Sequence, residues 1–128
     1  MLNSWSKWLF RAENDLDSAQ ILLKHDQPKL DIAIYLTQQC AEKVLKGFLA
    51  FHQQEIPKTH ELVKLVDRCM KIDPSFLELM GKANYLTPNA TEFRYTDNFD
   101  EAENLADLLP EIGDVETSIM FAHTFLIT

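Results

Sequence analysis

Tyr35, Gln39, Glu42, Lys43 and Lys46 stand in the segment from Leu30 to Phe51 at spacings that a helix turns onto one side. Each helical residue advances about 100°, so the five share one arc of about 100°. Leu30, Ala33, Ile34, Thr37, Ala41, Val44 and Phe48 take the other side. Lys43 and Lys46, one turn apart, offer two ammonium groups that can face phosphate oxygens as point charges. Glu42 would repel a phosphate, so its expected work is to orient Lys43, Lys46 or a loop cation. Gln39 and Glu42 can also hold backbone groups of a neighbouring loop, a structural task in a buried stripe. The competing reading is a solvated face whose lysines pair with Glu42, Glu13 or Asp17, each pair worth at most about 1 kcal/mol.

Two later segments carry further polar chemistry. In Pro57-Lys58-Thr59-His60-Glu61-Leu62, Thr59 is expected to cap a short helix and to place His60 in its first turn. There the free N–H groups and the helix dipole favour anions. In Glu92-Phe93-Arg94-Tyr95, the Arg94 guanidinium offers a bidentate fork for phosphate or carboxylate. Arg94 can equally pin its loop through Glu42 or Glu92. Tyr95 can stack on a base or close the core. His25, His52 and His123 fall near expected helix ends and take no role.

The elements that would position these groups are all helical. Trp5, Trp8, Leu9, Ala12, Leu16, Ala19, Leu22 and Leu23 recur at three- and four-residue steps, which predicts a first helix from Asn3 or Ser4 to His25. Pro28 breaks it. The second helix is expected over Leu30–Gln53, apolar around much of its circumference and therefore packed on several sides. A third is expected from Thr59 to Met70. Asp73-Pro74 reads as a cap followed by proline at the first helical position, opening a fourth helix that runs to Tyr85 and ends at Thr87-Pro88-Asn89. Residues 87–99 are expected to be irregular. Asp100 would cap a last helix over Glu101–Phe125, kinked near Pro110 and Gly113. The fold class is all-α, an up-and-down bundle of about five helices in one domain over residues 1–128. Trp5, Trp8, Phe121 and Phe125 are expected in the core or in a dimer interface.

Several activities are excluded by what is missing. Gly47, Gly81 and Gly113 are the only glycines, so neither a P-loop nor a dinucleotide-binding turn can form. His60-Glu61 begins like a zinc-protease motif, but Lys64 occupies the place of the second histidine. A di-iron bundle needs Glu three residues before His, where Leu22, Leu49, Pro57 and Met120 stand. No metal and no cofactor is expected. The net charge of −8 argues against a general nucleic-acid coat, which needs a basic surface. Cys40 and Cys69 form no C-x-x-C pair and are read as reduced thiols. Met1 to Phe10 shows no signal-peptide pattern, and no apolar run reaches the roughly 18 residues of a membrane helix. A soluble cytoplasmic protein is expected.

Four fragments together resemble the HEPN domain (higher eukaryotes and prokaryotes nucleotide-binding). They are Ala12-Glu13-Asn14-Asp15-Leu16-Asp17-Ser18-Ala19, Ile34-Tyr35-Leu36-Thr37-Gln38-Gln39-Cys40-Ala41-Glu42-Lys43-Val44-Leu45-Lys46, Pro57-x-Thr59-His60-x-Leu62, and Arg94-Tyr95. They fall in the family's order and span most of the chain. The resemblance implies an up-and-down helical bundle, commonly homodimeric, often paired with a small nucleotidyltransferase. Some relatives are ribonucleases that use an Arg-x(4–6)-His motif. This chain departs from that pattern. From Arg94 the matching positions are Phe99, Asp100 and Glu101, from Arg68 they are Asp73, Pro74 and Ser75, and from Arg11 they are Leu16, Asp17 and Ser18. The resulting expectation is a non-catalytic module for a nucleotide or other phosphorylated ligand, held by Lys43, Lys46, His60, Arg94, Gln39, Glu42 and Tyr95. Its rivals are a ribonuclease or toxin, and a dimerisation or interaction protein.

Overall fold

Apolar residues at helical spacing do form the expected rods. The computed structural model describes residues 4–94 and 112–126, with 88–94 described by their backbone alone. The elements are α1 (Ser4–Lys24), α2 (Leu30–Phe51), α3 (Leu62–Met70), a 3₁₀ helix (Pro74–Leu79), α4 (Met80–Arg94) and α5 (Ile112–Leu126). Among the described residues there is no strand. No described helix is long and apolar enough to cross a membrane.

α2 is the axis of the bundle, and α1, α3, α4 and α5 all pack against it. Trp5 meets Phe51 edge-on at 5.4 Å between ring centroids, and Asp15 reaches Lys43, so α1 and α2 run antiparallel. Ala41, Leu45 and Leu49 of α2 enter the main core with Leu62, Leu65 and Phe125. A smaller cluster joins Ala19, Ala33, Ile34 and Val115 at the other end.

Gly47 allows α1 and α2 to approach closely. A Cβ there would stand 3.0 Å from Trp8 Cβ and 3.5 Å from the Trp5 carbonyl oxygen. Trp8 Cβ is fixed by its backbone, so the helices themselves would have to separate. Gly47→Ala is therefore expected to lower the melting temperature, because overpacking of about 1–3 kcal/mol outweighs a helix-propensity gain of about 1 kcal/mol. Gly81, with nothing within 4 Å of its Cβ position, is the control. Gly81→Ala should leave stability equal or higher in the same thermal scans.

The structure revises two expected boundaries and keeps a third, the start of the fourth helix at Pro74 behind the Asp73 cap. α2 stops at Phe51 rather than Gln53 because Gln53 adopts φ 57°. The Gln53 N–H donates to Ala50 O at 3.0 Å and the Gln54 N–H to Leu49 O at 2.9 Å, closing the helix end with a left-handed residue. α3 begins at Leu62, not at Thr59, with Glu61 extended at its N-terminus. Thr59 Oγ1 instead accepts the Glu61 N–H at 3.1 Å in a local turn. The fourth helix begins at Pro74 as a 3₁₀ turn, capped where Asp73 Oδ1 accepts the Ser75 N–H at 3.0 Å. That bond holds the Asp73 carboxyl below the usual carboxylate range, so the cap weakens as pH falls through the lowered value.

The largest revision concerns Pro88. The helix does not end at Thr87-Pro88-Asn89, because α4 continues through it to Arg94. Proline inside a helix removes one hydrogen bond and costs about 3 kcal/mol. Complete burial of Ala83 and Leu86 just before it offsets that cost by tying α4 to the core. Arg94 is thus the last residue of a helix rather than part of a loop. The expected irregular stretch over 95–99, the Asp100 cap, the helix start at Glu101 and the kink at Pro110 lie outside the described residues.

Cys40 and Cys69 are unpaired and buried, and Cys69 Sγ donates to Leu45 O at 3.6 Å. Burial pushes both thiols up to about 12 from 9.0. The folded state therefore keeps protons that the unfolded chain gives up above pH ~9, and stability should fall between about pH 9 and 12. At pH 8 a thiol-reactive disulfide reagent is expected to titrate neither cysteine in native protein and both in denaturant. Fast labelling of either thiol in the native state would show that its burial is wrong.

Candidate functional site

The polar stripe of α2 is not a solvated face. Glu42 is 4% exposed and Lys46 6%, which is rare for charged residues unless they are paired. Lys46 Nζ donates to Glu42 Oε2 at 3.1 Å, one turn along the helix. His60 Nδ1 lies 3.0 Å from Glu42 Oε1 and 3.1 Å from Oε2. Gln38 Nε2 donates to Glu42 Oε1 at 3.3 Å and to the His60 carbonyl oxygen at 3.0 Å. Gln39 completes the group by donating from Nε2 to Gln38 Oε1 at 2.7 Å. One buried carboxylate thus receives an ammonium, an amide and an imidazole.

The path of the chain explains how His60 arrives there. After α2 ends, residues 52–61 return alongside it, and α3 then climbs in the same direction as α2. His60 meets Gln38 and Glu42, whereas Cys69 meets Leu45 further along. His60 sits ahead of α3, which starts only at Leu62, so it is not the first-turn residue that the sequence predicts. Its ring stays 78% exposed although Nδ1 touches a buried carboxylate. A carboxylate offers only acceptors, so Nδ1 is the donor and the neutral ring carries its lone pair on Nε2. That atom is on the solvent edge.

Of the remaining expected site residues, the structure places the side chain of Lys43 alone. Lys43 turns to α1, where its ammonium pairs with Asp15 at 22% and 13% side-chain exposure. Tyr35 is half-buried. Arg94 ends α4, and Tyr95 lies outside the described residues. Glu42, Lys46, His60 and Gln39 are therefore brought together, and Lys43 is separated from them. Gln38 is the member that sequence reasoning misses. It lies just outside the arc of the stripe, but Gln38, Glu42 and Lys46 form an i, i+4, i+8 row, which is the signal that would have found it. Among the described residues no group of three or more His, Cys, Asp or Glu could hold a metal ion.

Comparison with known proteins agrees with this architecture. The model of the HEPN domain family matches residues 5–127, nearly the whole chain. The chain belongs to the HEPN domain family. Among solved structures it resembles ST0689, an archaeal HEPN homologue, at 26% identity and TM-score 0.73, covering 98% of this chain and 94% of that one. It also shares its fold with TT1696 from Thermus thermophilus, at 24% identity and TM-score 0.78, covering 98% and 95% of the two chains. No curated protein matches it. The buried Glu42 network thus occupies the central helix of a HEPN bundle.

Proposed function

We propose that this HEPN-family bundle is a non-catalytic cytoplasmic module that holds a nucleotide or other phosphorylated ligand at the edge of α2 where His60 reaches the surface. The observation that carries the reading is the His60 ring, exposed to solvent yet fixed from behind by a buried carboxylate. A fixed ring costs little further entropy on binding. His60 would touch the phosphate directly, with Arg94 as a cationic contact and Tyr95 as a stacking surface, whereas Lys43, paired with Asp15 on α1, would stand outside the site. Lys46, Glu42 and Gln39 would act behind His60 by holding it. A small nucleotidyltransferase would be the protein partner, acting on the ligand or on the module. Exposed Phe10 and Ile21 on α1, with Ile112 and Met120 on α5, are the apolar groups that a homodimer would cover.

Thermal scans with a panel of nucleotides test this reading. A bound nucleotide at one hundred times its Kd should stabilise the fold by about 2.7 kcal/mol. His60→Gln and Arg94→Ala should each abolish the shift, read against the variant's own unliganded melting point. If no nucleotide at millimolar concentration shifts the transition, the ligand reading is lost.

A second reading is favoured by one specific observation. Lys43 and Lys46 already sit on carboxylates, as they would in an interaction protein whose stripe is purely structural. That reading expects Lys43→Ala to weaken the fold and to leave partner binding intact.

A further inference from the structure

The four histidines are not equivalent nucleophiles. His25 Nδ1 accepts the Gln27 N–H at 3.0 Å, so in the neutral ring the proton sits on Nε2 and that nitrogen has no lone pair to give. His52 lies against Phe48 and Phe51, with ring centroids at 4.6 and 5.0 Å. His123 borders a surface groove with Glu13, Asp17 and Gln20. Of the four, His60 alone has an ion pair to a carboxylate among the described residues, and that carboxylate contacts Nδ1.

We infer that His60 is a phosphoryl-acceptor site, its Nε2 taking a phosphoryl group from a high-energy donor of the phosphoramidate or acyl-phosphate class. Three features of the site support this step. Donation of Nδ1–H to Glu42 leaves the Nε2 lone pair facing water. A carboxylate behind an imidazole fixes its tautomer and the orientation of the ring. Bond formation at Nε2 makes the ring cationic, and that charge develops 3.0 Å from an oxygen of a buried carboxylate. Lys46 and Gln38 hold the carboxylate in place, so it need not reorganise as the charge appears.

The exposure of the ring decides between an acceptor and a general base. A general base works where a substrate is positioned and water is excluded. A ring 78% exposed provides neither, but it can enter the active site of another enzyme or meet a small donor. With phosphoramidate the Nε2 lone pair attacks phosphorus, the Nε2–P bond forms and the donor P–N bond breaks. Ammonia leaves, and the positive charge left on the ring is held as Nδ1–H against Glu42. Nothing is oxidised or reduced. The inference rests on reading His60 as the phosphate-facing group, but transfer from phosphoramidate requires no nucleotide site. The two ideas therefore fail separately: one in nucleotide scans, the other in labelling.

The test treats the full chain with potassium phosphoramidate at neutral pH. Alkaline peptide mapping follows the label at each histidine, and phosphorus NMR assigns the isomer. His60 is expected to label on Nε2 roughly tenfold faster than His123 in the same molecule. In Glu42→Gln, if circular dichroism shows it folded, the His60 rate should fall to that of His123. Equal rates at His60 and His123 in the wild type overturn the proposal, as does label on Nδ1 or an unchanged rate in folded Glu42→Gln. If Glu42→Gln does not fold, the comparison within the wild-type molecule decides alone.

Discussion

Glu42→Ala is expected to destabilise the protein by about 3–5 kcal/mol, the usual result of removing one partner from a buried ion pair. For a chain of this length that corresponds to a fall in melting temperature on the order of 10 °C or more. The loss has three parts. The Lys46 ammonium stays behind in a site only 6% exposed. The Gln38 amide loses one of its two acceptors, keeping only the His60 carbonyl. The return segment loses the imidazole contact that registers it on α2. Thermal and urea unfolding would measure the change. A double variant, Glu42→Leu with Lys46→Met, is expected to recover much of the stability, because it leaves no uncompensated charge. A cost below about 1 kcal/mol for Glu42→Ala would mean that water screens the pair as it does at a surface.

Phe125→Ala is expected to cost a similar amount, about 3–5 kcal/mol, through packing rather than charge. Phe125 is fully buried near the end of α5. It lines the floor of a solvent-open pocket of about 280 Å³ with Trp5, Val44, Phe48 and Phe76. Truncation there removes the contacts of a fully buried ring with its core neighbours, which is the source of the cost. Because Phe125 makes no hydrogen bond or ion pair with the Glu42 network, its effect should add to that of Glu42→Ala within a few tenths of a kcal/mol. Strong coupling between the two would mean that the return segment and the end of α5 move as one unit.

Helical rods and their order along the chain were legible because period-3.6 burial is a local property. Ala12, Leu16 and Ala19 are spaced for a helix and all three are buried. Where a helix ends was less legible. Thr87-Pro88-Asn89 is a stop signal by local rules, yet α4 runs through it. The deciding energy came from residues that pack on other elements, Ala83 and Leu86. His60 shows the same limit in the opposite direction. Thr59 has the chemistry of a cap, but the contacts of His60 with Gln38 and Glu42 hold that stretch outside the helix and delay α3 until Leu62.

The sequence by itself determined an all-helical chain of the HEPN type, the amphipathic order of its helices and a compact set of polar residues on the central one. Periodicity and residue type carry that information without knowledge of neighbours. Only the tertiary structure decided which charges pair. It turned Lys43 toward Asp15 on α1, buried Glu42 with Lys46, and brought His60 back across 18 residues of chain to the same carboxylate. The physical reason is that a buried charge must find its partner among whatever elements surround it. That choice is made by packing, and no spacing along one helix can state it.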